Sequence, residues 1–387
     1  MNEHIINERL PPSHKLPIDR LSNIFSDTVN SYKFYWFLSI LNALKTDNSA
    51  LKISIQYLCL EMMKQVWYPL EFFKLSFGTQ DSFTKISKKI KLLKSDGKKA
   101  SDKSFDDQLK NYSEAERIKI NSLIYQTLKK NVPYRFLAPF LRNSILETEG
   151  AFEKQIVKLS NEQFGKELKP IYRLYSDCIE LDADWAAYFN ENFTIIKGFI
   201  FWHLLKFLQR RNENVSGISE KLFKPESRDL KTAKIFWTEY LKKKKEIQCI
   251  YSGERVSLDN ISLDHFIPWK YTVHDRLWNI IPTTVNMNSR KSDRLPVIET
   301  FFQPFADIQY DALYTVLEND SSEIRKLTSD YSDLFLKEDL LKDRIEKNQF
   351  SEKLKDIIVP MRITAHGMGF EDLDTVKDSY EIRKRFQ

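Results

Sequence analysis

Cysteine is scarce in this chain: Cys59, Cys178 and Cys249 are the only three in 387 residues. None lies within four residues of another, so neither a disulfide framework nor a four-cysteine zinc site can be assembled from the spacing. Such usage suits a reducing cytoplasm. Glycine is scarce too, nine in all, which argues for helices over tight hairpins. A Walker loop, a dinucleotide-binding glycine fingerprint and an internal repeat are all missing, which leaves ATP or NAD dependence without support. No long apolar run occurs either. The most apolar segment, residues 193–208, is interrupted by Lys197, His203 and Lys206 and falls short of a membrane span. The opening stretch MNEHIINERLPPSHK lacks the apolar core of a secretory signal. These absences together predict a soluble, cytoplasmic protein without a membrane partner.

What is present is ample apolar material. A hydrophobic content of 42% with 13% aromatic residues is enough for real cores, and the length allows two or three domains. The formal net charge of +6 is unevenly spread: residues 301–387 carry 13 basic and 18 acidic side chains, which leaves about +11 on residues 1–300. That excess suits a polyanion partner and equally suits solvated lysine-rich helix faces.

Read in order, residues 1–26 form an arm, since Pro11, Pro12 and Pro17 forbid a regular helix there. Apolar residues at 34, 37, 38, 41 and 44 predict a helix that is apolar almost all round, with Asn30 or Ser31 placed to cap it. Residues 53–77 predict its helical partner, bent or broken at Pro69. A lysine cluster at 85, 88, 89, 91, 94, 98, 99 and 103 predicts an amphipathic basic helix, either a solvated face or a phosphate-tracking patch. Helices are also predicted over 171–189 and 193–211; the aromatic stripe of the second is a core pattern more readily than a base-stacking platform. A helix over 232–245 ends in Lys242, Lys243, Lys244 and Lys245. Cations there complement the helix dipole, and they could also meet a nucleic-acid backbone. Past residue 296 the chain is acidic, with helices predicted over 311–317, 322–326 and 332–347 before a glycine-containing tail.

The densest chemistry lies between Cys249 and Pro296. Residues 248–256 alternate as a strand turning at Ser252-Gly253, and 262–269 give a second strand stopped by Pro268, a plausible hairpin. Asp264 and His265 are adjacent, and on a regular strand they face opposite sides unless a bulge or the strand end turns them toward one cleft. A helix from Thr283 to about Arg294 would then carry Asn288 and Lys291 on one face. His274, between the motifs, reads as an exposed loop histidine.

Three separated pieces of this stretch resemble the HNH nucleases. DHFIPW is similar to that family's Asp-His-apolar-apolar-Pro opening, WNIIPTT to its central Asn-apolar-apolar-Pro, and NSRKSDRLP to its close. The intervals look like those of the HNH module of CRISPR type II effectors. The resemblance covers about 50 residues. It implies a ββα-metal fold in which Asp264 and Asn288 present oxygens to a hard Mg²⁺, with Mn²⁺ as a substitute. His265 would deprotonate the attacking water, histidine being the side chain that exchanges protons most readily near neutral pH. Asn279 would hold the imidazole or steady the loop. Lys291, with Arg290, would meet charge building on the phosphate, and Arg294 and the lysines 242–245 would contact nucleic acid. Many relatives carry paired Cys-x-x-Cys motifs; here Ser252 stands where the mate of Cys249 would be, so no structural zinc is expected.

The expected architecture is mostly α. It comprises the arm 1–26, a helical domain 27–231 for recognition, sensing or partner binding, an HNH module 232–300 with its lead-in helix, and an acidic helical extension 301–387. The expected activity is metal-dependent phosphodiester hydrolysis, with DNA as substrate and RNA as the narrower variant. Similarity to stand-alone HNH proteins implies bacterial restriction or phage defence. The alternative is a subunit that binds nucleic acid or a partner, silent until assembled.

Overall fold

Apolar residues on every side of residues 32–46 leave that helix no solvent face, and it becomes the axis of the first of two compact units, Met1–Glu213 and Asn214–Gln387. The computed structural model describes residues 10–49, 51–93, 103–145, 151–224 and 228–373. The outer part of the N-terminal arm and the cluster lysines Lys94, Lys98 and Lys99 lie outside them.

In the first unit the helix Tyr32–Thr46 buries Phe34, Tyr35, Trp36, Phe37, Leu38, Ile40, Leu41 and Leu44, as its sequence demands. Ser31 stands at its N-cap, but the side chain makes no cap bond. Its hydroxyl instead donates to Asp81 Oδ2 at 2.6 Å. The partner helix Ile55–Trp67 is capped by Ser54, whose hydroxyl accepts from the Tyr57 amide, and it passes into a π-turn, Tyr68–Phe72, at Pro69. The basic helix forms as Phe83–Leu92, with Phe83, Ile86 and Ile90 buried beneath the lysines. The expected helix over 171–189 does not form as one element. Tyr172, Leu174, Ile179 and Leu181 alternate with more exposed neighbours, a two-residue period that favours strands, and Asp182 caps a shorter helix, Ala183–Glu191. Strands β1 (Lys52–Ser54), β2 (Tyr172–Leu174) and β3 (Cys178–Leu181) form an antiparallel sheet in the order β1-β3-β2. The aromatic helix Phe193–Gln209 follows.

The second unit starts from the lead-in helix Lys231–Lys244. Strands β4 (Glu246–Gln248) and β5 (Arg255–Ser257) pair with each other, while β6 (Ile261–His265) pairs with β7 (Ile280–Thr284), both antiparallel. The expected hairpin between 248–256 and 262–269 is thus replaced by two small sheets. The first stretch folds back on itself at Ser252-Gly253, where Gly253 takes φ +70°. The partner of β6 is the segment IIPTT, whose Thr283 and Thr284 end this strand where the site helix was expected to begin. Then come the site helix Val285–Lys291 and a long helix, Ile298–Leu317, which runs through Pro304. Short helices Ser322–Leu327 and Ser329–Phe335 lead to the final helix Lys347–Gly367. The helix expected over 332–347 stops at Phe335, where Leu336 turns left-handed at φ +52°. A longer one begins at 347 because Phe350, Leu354, Ile358 and Ala365 share a buried stripe.

One apolar core serves this whole unit. It takes Phe236 and Trp237 from the lead-in helix, Phe266, Ile267, Ile280 and Ile281 from the motif region, and Phe305, Leu313, Phe350 and Leu354 from beyond residue 300. Phe266 stacks on Phe305 with ring centroids 4.0 Å apart. Gln309 donates to the carbonyls of Leu277 (3.3 Å) and Ile280 (2.7 Å). The structure therefore divides after Glu213 and not at residues 231 and 300.

Candidate functional site

Register brings the motif pieces together. In the β6–β7 pair Asp264 faces Ile281 and His265 faces Ile280, so the Asn-apolar-apolar-Pro element is the strand against which the Asp-His element is laid. The alternation of β6 sends its last two side chains to different partners. Both are buried, Asp264 4% and His265 5% exposed.

Asp264 lies toward the site helix. Its Oδ2 accepts from the Tyr251 hydroxyl at 3.0 Å, and Lys291 Nζ lies 3.2 Å from Oδ1 and 2.9 Å from Oδ2. Burial first, and then the Asp264 charge, hold the Tyr251 phenol well above its ordinary pKa, so it serves this carboxylate as a donor. Lys291 is fully buried and also donates to the His265 carbonyl at 2.7 Å. The expected phosphate contact of Lys291 is not what the fold provides: its ammonium is turned inward onto the carboxylate. Burying this ion pair with several hydrogen bonds leaves neither charge uncompensated.

Asn288 and Lys291, three residues apart, share the helix face that meets β6, as expected. Asn288 Nδ2 donates to Ser262 Oγ (2.8 Å) and to the Leu263 carbonyl (3.1 Å). The helix is held at its start by Thr284, whose Oγ1 accepts from the Met287 amide at 3.2 Å and donates to Glu254 at 3.0 Å. It is shorter than expected, ending at Lys291 because Ser292 adopts φ +49°. Arg290 is exposed and Arg294 half-buried beyond it.

Asn279 is hydrogen-bonded to the loop that follows His265. Its side chain accepts from the Ile267 amide and donates to the Ile267 carbonyl, both at 2.9 Å, and its own carbonyl accepts from the Phe266 amide at 2.7 Å. The backbone just after His265 is thereby fixed. The imidazole is held by a residue the sequence reading passed over, Asp275, with His265 Nε2 and Asp275 Oδ1 2.8 Å apart. The other oxygen of Asp275 accepts from the Asp229 amide at 3.2 Å. Tyr251 was passed over as well. Neither has a sequence signal beyond its residue type, because both act across a fold whose strand pairing was read differently.

His274 is not an exposed loop residue. It is half-buried, its ring 5.4 Å from that of Trp278, and its Nδ1 is buried without a hydrogen-bond partner. Burial, helped by the charges of Arg276 and His265, lowers its pKa from 6.5 to about 4. Three lysines of the lead-in helix are committed to acids. Lys242 pairs with Glu239 at 2.7 Å, Lys243 with Glu318 at 3.1 Å, and Lys244 with Asp311 at 2.9 Å. Lys243 and Lys244 thus fasten the lead-in helix to the long helix. Lys245 is exposed and ends the lead-in helix at φ +67°.

For a metal, the donor set is an anionic carboxylate and an amide oxygen, the chemistry a hard divalent cation prefers. Lys291 already neutralises the Asp264 carboxylate, which has about four lone-pair directions, so a divalent cation bound here would share that carboxylate with the ammonium. No group of three His, Cys, Asp or Glu side chains is gathered for a metal among the described residues. A cation here would draw its other ligands from water and substrate. Cys249 is a core residue, its Sγ 3.1 Å from Thr283 Oγ1.

The stretch closes on the C-terminal side of the unit. Leu295 bridges Asp372 in parallel: the Leu295 amide donates to Glu371 and the Leu373 amide to Leu295, each at 2.8 Å. Arg362 donates to the Pro296 carbonyl and pairs with Asp372 at 2.7 Å. Among the described residues no helix is long and apolar enough to cross a membrane.

Residues 249–297 match the family model described as HNH endonuclease. No curated protein and no solved structure matches the chain. The matched segment coincides with the paired strands, the site helix and the closing Leu-Pro just described, and residues 249–297 are therefore an HNH-family module.

Proposed function

We propose that this module is a metal-dependent endonuclease that hydrolyses phosphodiester bonds in DNA. The observation that carries the reading is that Asp264 and His265 end the strand β6 against which Asn288 of the site helix is hydrogen-bonded, inside a segment that matches the HNH endonuclease model. Asp264 and Asn288 would hold a Mg²⁺ ion, which when bound supplies a Lewis acid at the scissile phosphate. His265 takes the proton of the attacking water, a contribution of roughly 10²- to 10⁴-fold in rate. Asn279 fixes the backbone that carries His265. Lys291 and Tyr251 hold the Asp264 carboxylate in one orientation. Arg290, exposed on the site helix, and Arg294 would meet the DNA backbone.

The test is incubation of purified protein with supercoiled plasmid, with and without Mg²⁺. Wild type is expected to nick or linearise the plasmid only with the metal, and His265→Ala to lose at least 10²-fold in rate. Equal cleavage by His265→Ala, or none by wild type, overturns the reading. A matched RNA run in parallel decides the substrate. A defence role rests on the family resemblance, and phage plating on cells expressing wild type or His265→Ala measures it.

A further inference from the structure

His265 is fixed at both ends of its residue. Its backbone is anchored by Lys291 on the carbonyl and by Asn279 on the two residues that follow. Its ring is anchored through Nε2, which lies 2.8 Å from Asp275 Oδ1. A carboxylate can only accept, so the proton between them sits on Nε2. A neutral imidazole with its proton on Nε2 has its lone pair on Nδ1. Asp275 is itself held, since its Oδ2 takes the Asp229 amide, and its side chain is 19% exposed against 5% for His265.

We propose that Asp275 is a positioning residue that locks His265 in the Nε2–H tautomer, so that Nδ1 is the atom that takes the proton from the attacking water. This rests on the nuclease reading above. The proton passes from water to Nδ1, the hydroxide oxygen bonds to phosphorus, and the bond from phosphorus to the leaving oxygen breaks with its electron pair going to that oxygen, which takes a proton from solvent water. The imidazolium so formed keeps its Nε2–H on Asp275, whose negative charge stabilises it where it stands. The neighbouring ring of His274 adds no competing charge, because it is buried as the neutral form. A merely structural Asp275 would hold the 273–279 loop and nothing more.

The two accounts separate by spectroscopy and kinetics on the full chain. Six histidines give a tractable long-range ¹H–¹⁵N correlation spectrum of ¹⁵N-histidine-labelled protein without metal, and the His265 signals are assigned by their loss in His265→Ala. Wild type is expected to show a protonated Nε2 and an unprotonated Nδ1. Asp275→Asn keeps an acceptor for the Asp229 amide but offers the ring an NH₂ group, and is expected to shift the ring toward the Nδ1–H tautomer. Its kcat on plasmid should fall by about 10²- to 10⁴-fold, the contribution of a general base, while KM changes less than threefold. Asp275→Glu, which restores the carboxylate, should recover part of kcat. An Nδ1–H wild-type ring, or a tautomer unchanged in Asp275→Asn, overturns the proposal whatever the activity. The expected tautomer shift in a protein that does not cut DNA upholds the contact and overturns the nuclease reading.

Discussion

Lys291 is the residue at which sequence pattern and physical environment part most clearly. Its place three residues after Asn288 suggests a side chain reaching for phosphate, yet its ammonium has no exposure and is shared between Asp264 and the His265 carbonyl. Removing it leaves a buried carboxylate unpaired. Lys291→Ala is expected to destabilise the second unit by about 3–5 kcal/mol, read as a lowered urea midpoint at constant m-value. Added Mg²⁺ should restore stability more in Lys291→Ala than in wild type, because a cation then replaces the missing charge. A loss under about 1 kcal/mol would mean the pair is only a surface-like contact. His274 makes a pH-dependent contribution. Burial, then Arg276 and His265, lower its pKa from 6.5 to about 4, against the opposing pull of Asp330. The unfolded chain then binds more protons than the folded one between those values, so the stabilisation is complete above pH 6.5 and drains away as pH falls toward 4. Melting temperatures of wild type and His274→Gln should change relative to each other across that interval and run parallel above it.

At the scale of elements, the site helix is only seven residues long, too short to stand on intrinsic propensity. It depends on its cap and on what its inner face touches. Thr284→Val removes the hydroxyl that meets both the Met287 amide and Glu254 and is expected to cost about 1 kcal/mol. Cleavage should fall more than stability alone explains, since Asn288 and Lys291 ride on this helix; differential scanning calorimetry beside nicking assays measures both. The elements also show what was legible in sequence. The all-apolar pattern around Phe34–Leu44 needed no tertiary information and is found as the expected helix, and the three motif fragments were legible as a set although their local structure differs from expectation. The β6–β7 pairing was not legible, because Pro282 argues locally against a strand and the segment becomes one only by pairing along all five residues of β6. The roles of Asp275 and Tyr251 depend on that pairing, and so stayed hidden with it. Residues 171–189 were misread for a related reason: short strands of three and four residues offer too few positions to tell a period of 2 from one of 3.6.

For the molecule as a whole, the shared core of the second unit sets what can be cut away. A fragment spanning 214–387 keeps every residue of that core, from Ala233 to Leu373. It is expected to fold cooperatively, with a single thermal transition by circular dichroism. A fragment spanning 232–300 keeps the whole motif but loses Phe301, Phe302 and Phe305, and is expected to show no cooperative transition. Comparable transitions in both would place the boundary at residue 300 after all. The bridge between Leu295 and Asp372 carries this dependence into the order of synthesis. A chain emerging from the ribosome displays the complete motif long before the segment that clasps its closing Leu-Pro, with the long and final helices still to be made. The clasp on the closing Leu-Pro can therefore form only once translation has passed residue 373, so the motif is complete in sequence before it is complete in shape.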